Sequence, residues 1–326
     1  MNGANTLSID EEHNMHIAVI GAGNMGSLYG ANLARAGAQI TFIDPWHEHI
    51  DSIRQNGLRM DGLHGEFIVA VDATTDLAEV SGVDMALIMV NTYATAAAAQ
   101  SAQHILKEGG FALTLQNGLG NIETLQDILG KERVMAGLSF HSADLIGPGH
   151  VSHTNESKTY LGELDQSESA RLETIRDWMQ RAEMHPVVER DIMATIWGKF
   201  VLNCGLNALC AITDLRPGHL GQIEELDHLQ THIIREALAL VEARGIEIPE
   251  KNPLQTIKEY GRRKFHRVSM LQHLARGKET EIDALNGYIV RESRKLDLPC
   301  PYNEALTALV KGRQYLPQEQ GEHDPN

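Results

Sequence analysis

Apolar residues in the first half of the chain fall into short runs separated by amphipathic stretches. "HIAVI", with Ile17, Val19 and Ile20, is brief and partly β-branched, the pattern of a buried strand. It runs into "GAGNMG", after which "SLYGANLARAG" keeps helical spacing as far as Gly37, a residue suited to a C-cap. "QITFID" reads as the next strand. "EFIVAV", "MALIMV", "GFALTLQ" and "RVMAGLSF" repeat the strand signature, with helical stretches "TAAAAQSAQHIL" and "NIETLQDILG" between the later ones. Such alternation predicts an α/β fold whose N-terminal part is a Rossmann-type, doubly wound parallel sheet. From 144 to 165 the text turns to Gly, Pro, Ser and His with short strand-like pieces, then one helix around "ESARLETIRDWMQRA". The sheet domain should finish near "HPVVER".

From Asp191 onward the strand signals vanish. Helical patterns run through "IMATIWGKFVLNCGLNALCAIT", "EELDHLQTHIIREALALVEARG", "NPLQTIKEYGRRKF", "SMLQHLARG", "TEIDALNGYIVRESRKL" and "YNEALTALVKGR". In the fifth, Ile282, Leu285, Ile289 and Val290 recur at helical intervals and would form a core face. The expected organisation is a polar tail at 1–14, a dinucleotide-binding sheet domain at 15–188, an all-helical C-terminal domain at 189–316 and a polar tail at 317–326. No internal repeat, sustained heptad register or low-complexity tract precedes the acidic end "PQEQGEHDPN".

One helical pattern carries a polar stripe. Lys199, Asn203 and Asn207 interrupt the otherwise apolar "GKFVLNCGLNALCAI" at four-residue spacing. On an α-helix each advances only about 40° from the last, so all three share one face, rising about 6 Å per step. Leu202, Leu206 and Leu209, with Val201, Ala208 and Ile212, suit the packed faces around them. The stripe therefore lies inside the protein or along a cleft, where an ammonium needs partners.

Composition narrows the partner. The 326 residues are enough for two ordinary domains, and 42% hydrophobic residues is a globular composition. With 28 Lys and Arg against 44 Asp and Glu the net charge is −16, which disfavours nucleic acid and anionic membranes and points to a small molecule. "MNGANTLSIDEEHNM" lacks the charged and apolar regions of a signal peptide, and "MALIMV", taken as the longest apolar stretch, is far short of a membrane span. A cytoplasmic location is expected. Cys204, Cys210 and Cys300 are odd in number and form no C-x-x-C, so they read as packing residues. Of the 16 histidines, "HEH" at 47–49 and "HNMH" at 13–16 sit in polar surroundings without a third ligand at a known spacing, and no metal site is expected.

"GAGNMG" supplies G-x-G-x-x-G directly after a strand and at the head of a helix. Gly21 permits the tight turn, Gly23 lets backbone approach a pyrophosphate, and Gly26 lets helix pack on strand; the helix N-terminus favours the anion. Gly21, Ala22, Gly23, Asn24, Met25 and Gly26 are thus the candidate cofactor loop. Asp44 ends the second strand, where a carboxylate can accept from the adenosine ribose hydroxyls while repelling the extra phosphate of NADP. Pro45 and Trp46 bring no arginine to clamp such a phosphate, so NAD(H) is expected over NADP(H), although NADP(H) is not excluded. The plainer alternative is that Asp44 only begins a turn before Pro45.

Two more stretches carry polar groups where simple core would not. "LTLQNGLGN" sets Asn117 just beyond a strand, where the carboxyl ends of a parallel sheet meet ligand, and "VSMLQHLARGKETEID" carries Ser269 and, twelve residues on, Glu281. Each has a structural alternative: an Asn-Gly turn at Asn117, a capping box of Ser269 with Gln272, and a solvated first turn at Glu281.

Taken in order, "GAGNMG", "LQNGLGN", "WGKFVLNCGLNAL", "SMLQ", "TEID" with "NGYIV", and "PCPYNEAL" resemble the ketopantoate reductase (2-dehydropantoate 2-reductase) family over nearly the whole chain. The resemblance implies an active site in the cleft between a Rossmann and a helical domain, serving an oxidoreductase of pantothenate biosynthesis. It implies that Lys199 is the proton donor, that Asn203 and Asn207 contact substrate, and that Ser269 helps hold the substrate carboxylate. It also implies that Asn117 touches both ligands, Ala143 lines the cofactor site, and Glu281 lies at the junction of cofactor and substrate. Physics supports such a lysine independently, because an ammonium beside a keto oxygen stabilises the charge that hydride transfer creates there and then supplies the proton. Asn203 and Asn207 can orient the lysine or a substrate hydroxyl without adding charge.

The chain departs from the family pattern at four positions. Asp44 and Asn91 stand where many members carry basic groups, both consistent with NAD and both counted at the cofactor site. His273 and Pro217 replace a family Asp and Asn on the substrate side, so 2-dehydropantoate, another 2-keto acid and the reverse oxidation of a 2-hydroxy acid all stay open. Other readings are a dehydrogenase of another hydroxy acid on the same architecture, or a silent protein that senses NAD(H). An apolar face on the helical domain would suit a homodimer.

Overall fold

The computed structural model describes residues 15–319, with side chains described as far as Tyr315. The tail expected at 1–14 and residues 320–326 lie outside the described residues. The chain opens with β1 (His16–Ile20), α1 (Asn24–Arg35) and β2 (Gln39–Ile43), as the periodicity predicts. α2 (His47–Asn56) and β3 (Leu58–Gly62) then occupy a stretch for which no element was expected. Of the expected strand "EFIVAV", Phe67–Val69 form β4, and β5 (Asp72–Thr74) begins just beyond it in a different sheet. β6 (Val83–Ile88), α3 (Thr95–Ile105), β7 (Leu106–Thr114), α4 (Asn121–Leu129) and β8 (Val134–Ser139) follow, then β9 (Ser142–Gly147), β10 (His150–Asn155), β11 (Thr159–Gly162), α5 (Ala170–Arg181) and β12 (Pro186–Val188).

The main sheet has eight strands in the order β12-β11-β8-β7-β6-β1-β2-β5. From β5 to β8 this is the doubly wound order, and its direction reverses between β1 and β6, so a crevice opens at their carboxyl ends. Ile20 pairs with Ile43 on one side and Ile88 on the other, which puts the residues after these strands at one rim. The sheet is parallel from β5 to β8, as expected, and beyond it β11 runs antiparallel to β8. Chain leaving β8 passes through β9 and β10 and returns, where a helical crossover would have restored parallel direction. β9 and β10 join β3 and β4 in a second sheet, β4-β3-β10-β9, that packs against α1.

Both faces of the main sheet are covered, which explains its nearly continuous apolar strands. Ile17, Val19, Phe42 and Leu87 face α1 and α5 through Leu28, Tyr29 and Ile175. Ala18, Ile20, Ala86 and Ile88 face α3 and α4 through Ala98, Ala102 and Leu125.

Beyond Val188 the described residues form no strand. α6 (Ile192–Thr213), α7 (Pro217–Leu220), α8 (Glu224–Ala243), α9 (Pro253–Arg262), α10 (Ser269–Ala275), α11 (Asn286–Lys295) and α12 (Pro301–Glu319) complete the fold, so 317–319 are helical and not tail. The stretch expected as one helix from Thr280 is broken: Ile282–Ala284 make a 3-10 turn, and Leu285 (φ −109°, ψ −108°) redirects the chain into α11.

α6 lies at the centre, packed by α8, α10 and α12, with Asp191 capping its start by accepting from Ala194 N–H at 3.0 Å. At 22 residues and mean hydropathy 1.3 it is long and apolar enough to cross a membrane, which corrects the view of "MALIMV" as the longest apolar stretch. Its most apolar window is 67% buried within the protein, as a core helix would be. The three cysteines are buried and free. Buried amides pin this helix: Asn286 Nδ2 donates to Cys204 O (3.1 Å) and Asn303 Oδ1 (2.9 Å), Asn303 Nδ2 donates to Ile233 O (3.1 Å), and Gln230 Nε2 donates to Gly205 O (3.1 Å). These amides give a physical role to "NGYIV" and "PYNEAL".

Replacing Asn286 by Ala strips the donor from two buried acceptors, which should cost roughly 1–3 kcal/mol. Thermal unfolding followed by circular dichroism should show a lower Tm for Asn286→Ala. An unchanged Tm would mean that the network does not hold α6.

Candidate active site

The glycine loop has the geometry its sequence requires. Gly21 has φ +100°, and a Cβ on Gly26 would stand 1.9 Å from Gly21 O. A Cβ on Gly23, by contrast, would meet nothing within 4 Å, so this side of the loop is open to a ligand. α1 begins there without a side-chain cap and without an acid in its first turn, leaving its N-terminal N–H groups for an anion. These features fit a dinucleotide pyrophosphate.

Asp44 clamps the same loop. Its Oδ2 accepts from Ala22 N–H at 2.8 Å and its Oδ1 from Trp46 N–H at 2.9 Å. The turn-forming role is therefore real, yet an ionised carboxylate has about four lone-pair sites and two remain for a ligand. Ser27 Oγ donates to Ala22 O at 2.9 Å, and Asn24 Nδ2 donates to Ala143 O at 2.9 Å, tying the loop to β9. Met25 packs half-buried on the sheet core. His49 of "HEH" is fully buried. Its Nδ1 accepts from Gly149 N–H at 2.9 Å, so its proton sits on Nε2, facing Ser27 Oγ at 3.4 Å. Burial lowers its pKa against the pull of Asp44.

Across the crevice, Asn91 follows β6 and donates from Nδ2 to Tyr93 Oη at 2.9 Å. Asn117 follows β7, and its carbonyl accepts from Asn121 Nδ2 at 2.9 Å. The 3-10 turn of the helical half docks onto these loops. Leu119 N–H donates to Ala284 O at 3.1 Å, and Gly118, at φ +81°, leaves no room for a Cβ, which would stand 2.7 Å from that oxygen. Thr92 N–H donates to Glu281 Oε1 at 3.3 Å. Strand ends and helical half thereby bring Asn91, Asn117 and Glu281 together.

Lys199, Asn203 and Asn207 share one face of α6. Lys199 Nζ donates to Ser139 O at 2.6 Å, at the carboxyl end of β8, and lies 5.3 Å from the centre of the Phe140 ring. Burial lowers the Lys199 pKa to about 8, with Glu281 opposing the fall. Burial raises the Glu281 pKa to about 7, opposed by the Thr92 N–H and by Lys199. Glu281 is half-buried and its carboxylate accepts from Thr92 N–H, in place of a fully solvated first turn. The two groups sense each other, yet they form no ion pair within 4.0 Å.

Neither side-chain amide of Asn203 nor of Asn207 has a hydrogen-bond partner among the described residues; Asn207 is buried and Asn203 half-buried. Ser269 is the first residue of α10 and is exposed, with no side-chain hydrogen bond to the stripe; its helix packs with α6 through Met270 and Leu271. The alternative capping box is absent, because Val268 holds the cap position and Gln272 Nε2 donates to Arg267 O at 3.1 Å.

Residues 17–166 match the family described as "Ketopantoate reductase PanE/ApbA", and residues 191–314 match its C-terminal part. The chain belongs to the ketopantoate reductase family. A relative named 2-dehydropantoate 2-reductase from Pyrococcus abyssi (strain GE5 / Orsay) is 30% identical over 93% of this chain and 99% of its own length. A PanE/ApbA family ketopantoate reductase from Ralstonia eutropha JMP134 superposes with TM-score 0.87 at 32% identity, covering 93% of this chain and 100% of that one. A D-mandelate dehydrogenase solved with NADH and anilino(oxo)acetate superposes with TM-score 0.85 at 26% identity, covering 92% and 98% of the two chains. As a ketopantoate reductase family member, the protein is an NAD(P)-dependent oxidoreductase acting on a CH–OH group.

Within this candidate site, several groups escaped the sequence reading. Ser139 O and Thr92 N–H are main-chain atoms with no sequence signature. Asn121 is the closing residue of "LQNGLGN", and its reach back to Asn117 O, four residues away, was readable in principle. His49 and Ser27 carry no motif at all.

The Lys199 amine should titrate near pH 8 in solution, which reductive 13C-methylation and NMR can follow. Glu281→Gln removes the charge that supports the ammonium, so the titration should move to lower pH. An amine that titrates at the ordinary lysine value in both proteins would contradict the desolvated site.

Proposed function

We propose that this protein reduces a small 2-keto acid to the 2-hydroxy acid, with Lys199 as general acid and NAD(H) preferred over NADP(H). The observation that carries the reading is the Lys199 ammonium, which finds one protein acceptor, Ser139 O, and lies near enough to Glu281 for each to shift the other's titration. A nicotinamide dinucleotide held at the Gly21–Gly26 loop would be the source of hydride for the keto carbon. As the carbonyl oxygen gains charge, the ammonium stabilises it and gives up a proton to form the hydroxyl. Burial, by lowering the Lys199 pKa, makes that proton easier to release than from an exposed lysine.

Asn203 and Asn207, with unpaired amides, are assigned to substrate oxygens, as is Asn117. Ser269 is assigned to the carboxylate. Glu281 keeps the lysine charged between turnovers and adjoins the cofactor. At the cofactor end, the loop from Gly21 to Gly26 takes the pyrophosphate, Asp44 the adenosine ribose, and Asn91 and Ala143 line the site. Asp44 would meet a 2′-phosphate with like charge, which is the argument for NADH. The relatives' names point to 2-dehydropantoate, whereas His273 and Pro217 permit a different acid. The likeness to D-mandelate dehydrogenase with NADH favours, as a second reading, oxidation of a 2-hydroxy acid by the same residues in reverse.

A panel of 2-keto acids, 2-dehydropantoate among them, assayed by absorbance with NADH and NADPH should give the higher kcat/KM with NADH. A tenfold advantage for NADPH would overturn the coenzyme assignment. Lys199→Ala should lower kcat by roughly 10²–10⁴-fold while the protein stays folded, and an unchanged kcat would remove Lys199 from the mechanism. Because the acid must be protonated, reduction should be fastest below the Lys199 pKa and decline as pH rises through about 8. A rate that increases through that range would contradict the role.

A further inference from the structure

Trp46 stands two residues beyond Asp44 with 38% of its surface exposed. Single exposed aromatics are common, but this one is held rigidly. Its main-chain N–H is bound to Asp44 Oδ1, and its indole stacks on the fully buried His49 ring at 5.0 Å between centroids and 9° between planes. His49 is fixed on both nitrogens in turn, by Gly149 N–H at 2.9 Å and toward Ser27 Oγ at 3.4 Å. The same Ser27 holds Ala22 O, and Asp44 holds Ala22 N–H, so brace, ribose carboxylate and glycine loop form one connected set. The indole N–H has no protein acceptor among the described residues.

A ribose held at Asp44 through its hydroxyls carries its base on the adjacent ring carbon, within a side chain's reach of that carboxylate. We propose that Trp46 is the stacking platform for the adenine of the dinucleotide and that His49 is the positioning residue that holds it flat. The inference rests on the dinucleotide reading above. Flat heteroaromatic bases stack on indole whatever their edge chemistry, so the platform adds affinity for the adenosine half as a whole. His49 Nδ1 accepts from Gly149 N–H and so carries no proton, which keeps the brace from adding charge beside the base.

Two measurements separate this from the reading it rests on. Calorimetry with ADP-ribose should give binding to the unaltered protein, weakened roughly ten- to a hundredfold in Trp46→Ala, mostly recovered in Trp46→Phe, and intermediate in His49→Ala. The advantage of NADH over NMNH in KM, which reports the adenosine half alone, should shrink by a similar factor in Trp46→Ala. General damage would lower performance with both coenzymes in proportion and leave that ratio intact. If ADP-ribose binds the unaltered protein and Trp46→Ala equally, the platform is refuted while the dinucleotide site stands. A Phe variant as weak as the Ala variant would refute stacking. Failure of the unaltered protein to bind ADP-ribose or NADH would overturn both.

Discussion

An ammonium has three N–H donors, and at Lys199 the protein answers one of them, with Ser139 O at 2.6 Å. The centre of the Phe140 ring lies 5.3 Å from the amine. Glu281 is near enough to be felt and too far for an ion pair, and burial outweighs their mutual attraction for both, pulling the lysine pKa down and the glutamate pKa up. The ammonium is therefore held near the point of releasing its proton and the carboxylate near the point of taking one up. Lys199 is half-buried, with donors beyond the one given to Ser139 O, and a negatively charged oxygen arriving from a substrate would meet those donors.

Much of the remaining architecture serves to hold that lysine where it is. α6 is anchored by Asn286, Asn303 and Gln230, which bond its carbonyls or the helices against it. The turn carrying Glu281 is clasped by Leu119 N–H and Thr92 N–H from two strand-end loops. Lys199 and Glu281 come from the helical half, whereas Ser139, Thr92 and Asn117 come from the sheet. The constellation exists only with the halves docked, so a change at the clasp should reach the chemistry without touching a reacting atom.

Features whose cause is local were legible in the sequence. Buried parallel strands announce themselves as apolar runs, the glycine loop by its spacing, and the stripe of Lys199, Asn203 and Asn207 by helical periodicity. What escaped depends on distant pairing. Nothing in "LRMDG" reveals that Arg59 pairs with His150, so the second sheet was invisible. "HEHIDSIRQN" shows few apolar residues, because His49 is buried by hydrogen bonds on both nitrogens and by Trp46, not by hydrophobicity. Glu281 looks like a surface acid until Thr92, far away in the chain, is seen donating to it. The family resemblance compensated for this by carrying residues whose local sequence is unremarked, but it could not supply the acceptor for Lys199, which is a main-chain carbonyl.

The most direct test is a crystal structure with NADH and an unreactive 2-keto acid analogue bound together. The account predicts the keto oxygen within hydrogen-bond distance of Lys199 Nζ, with the amine still touching Ser139 O and the keto carbon facing the nicotinamide. A ligand whose keto oxygen is held by other groups, with Lys199 turned away from it, would contradict the account.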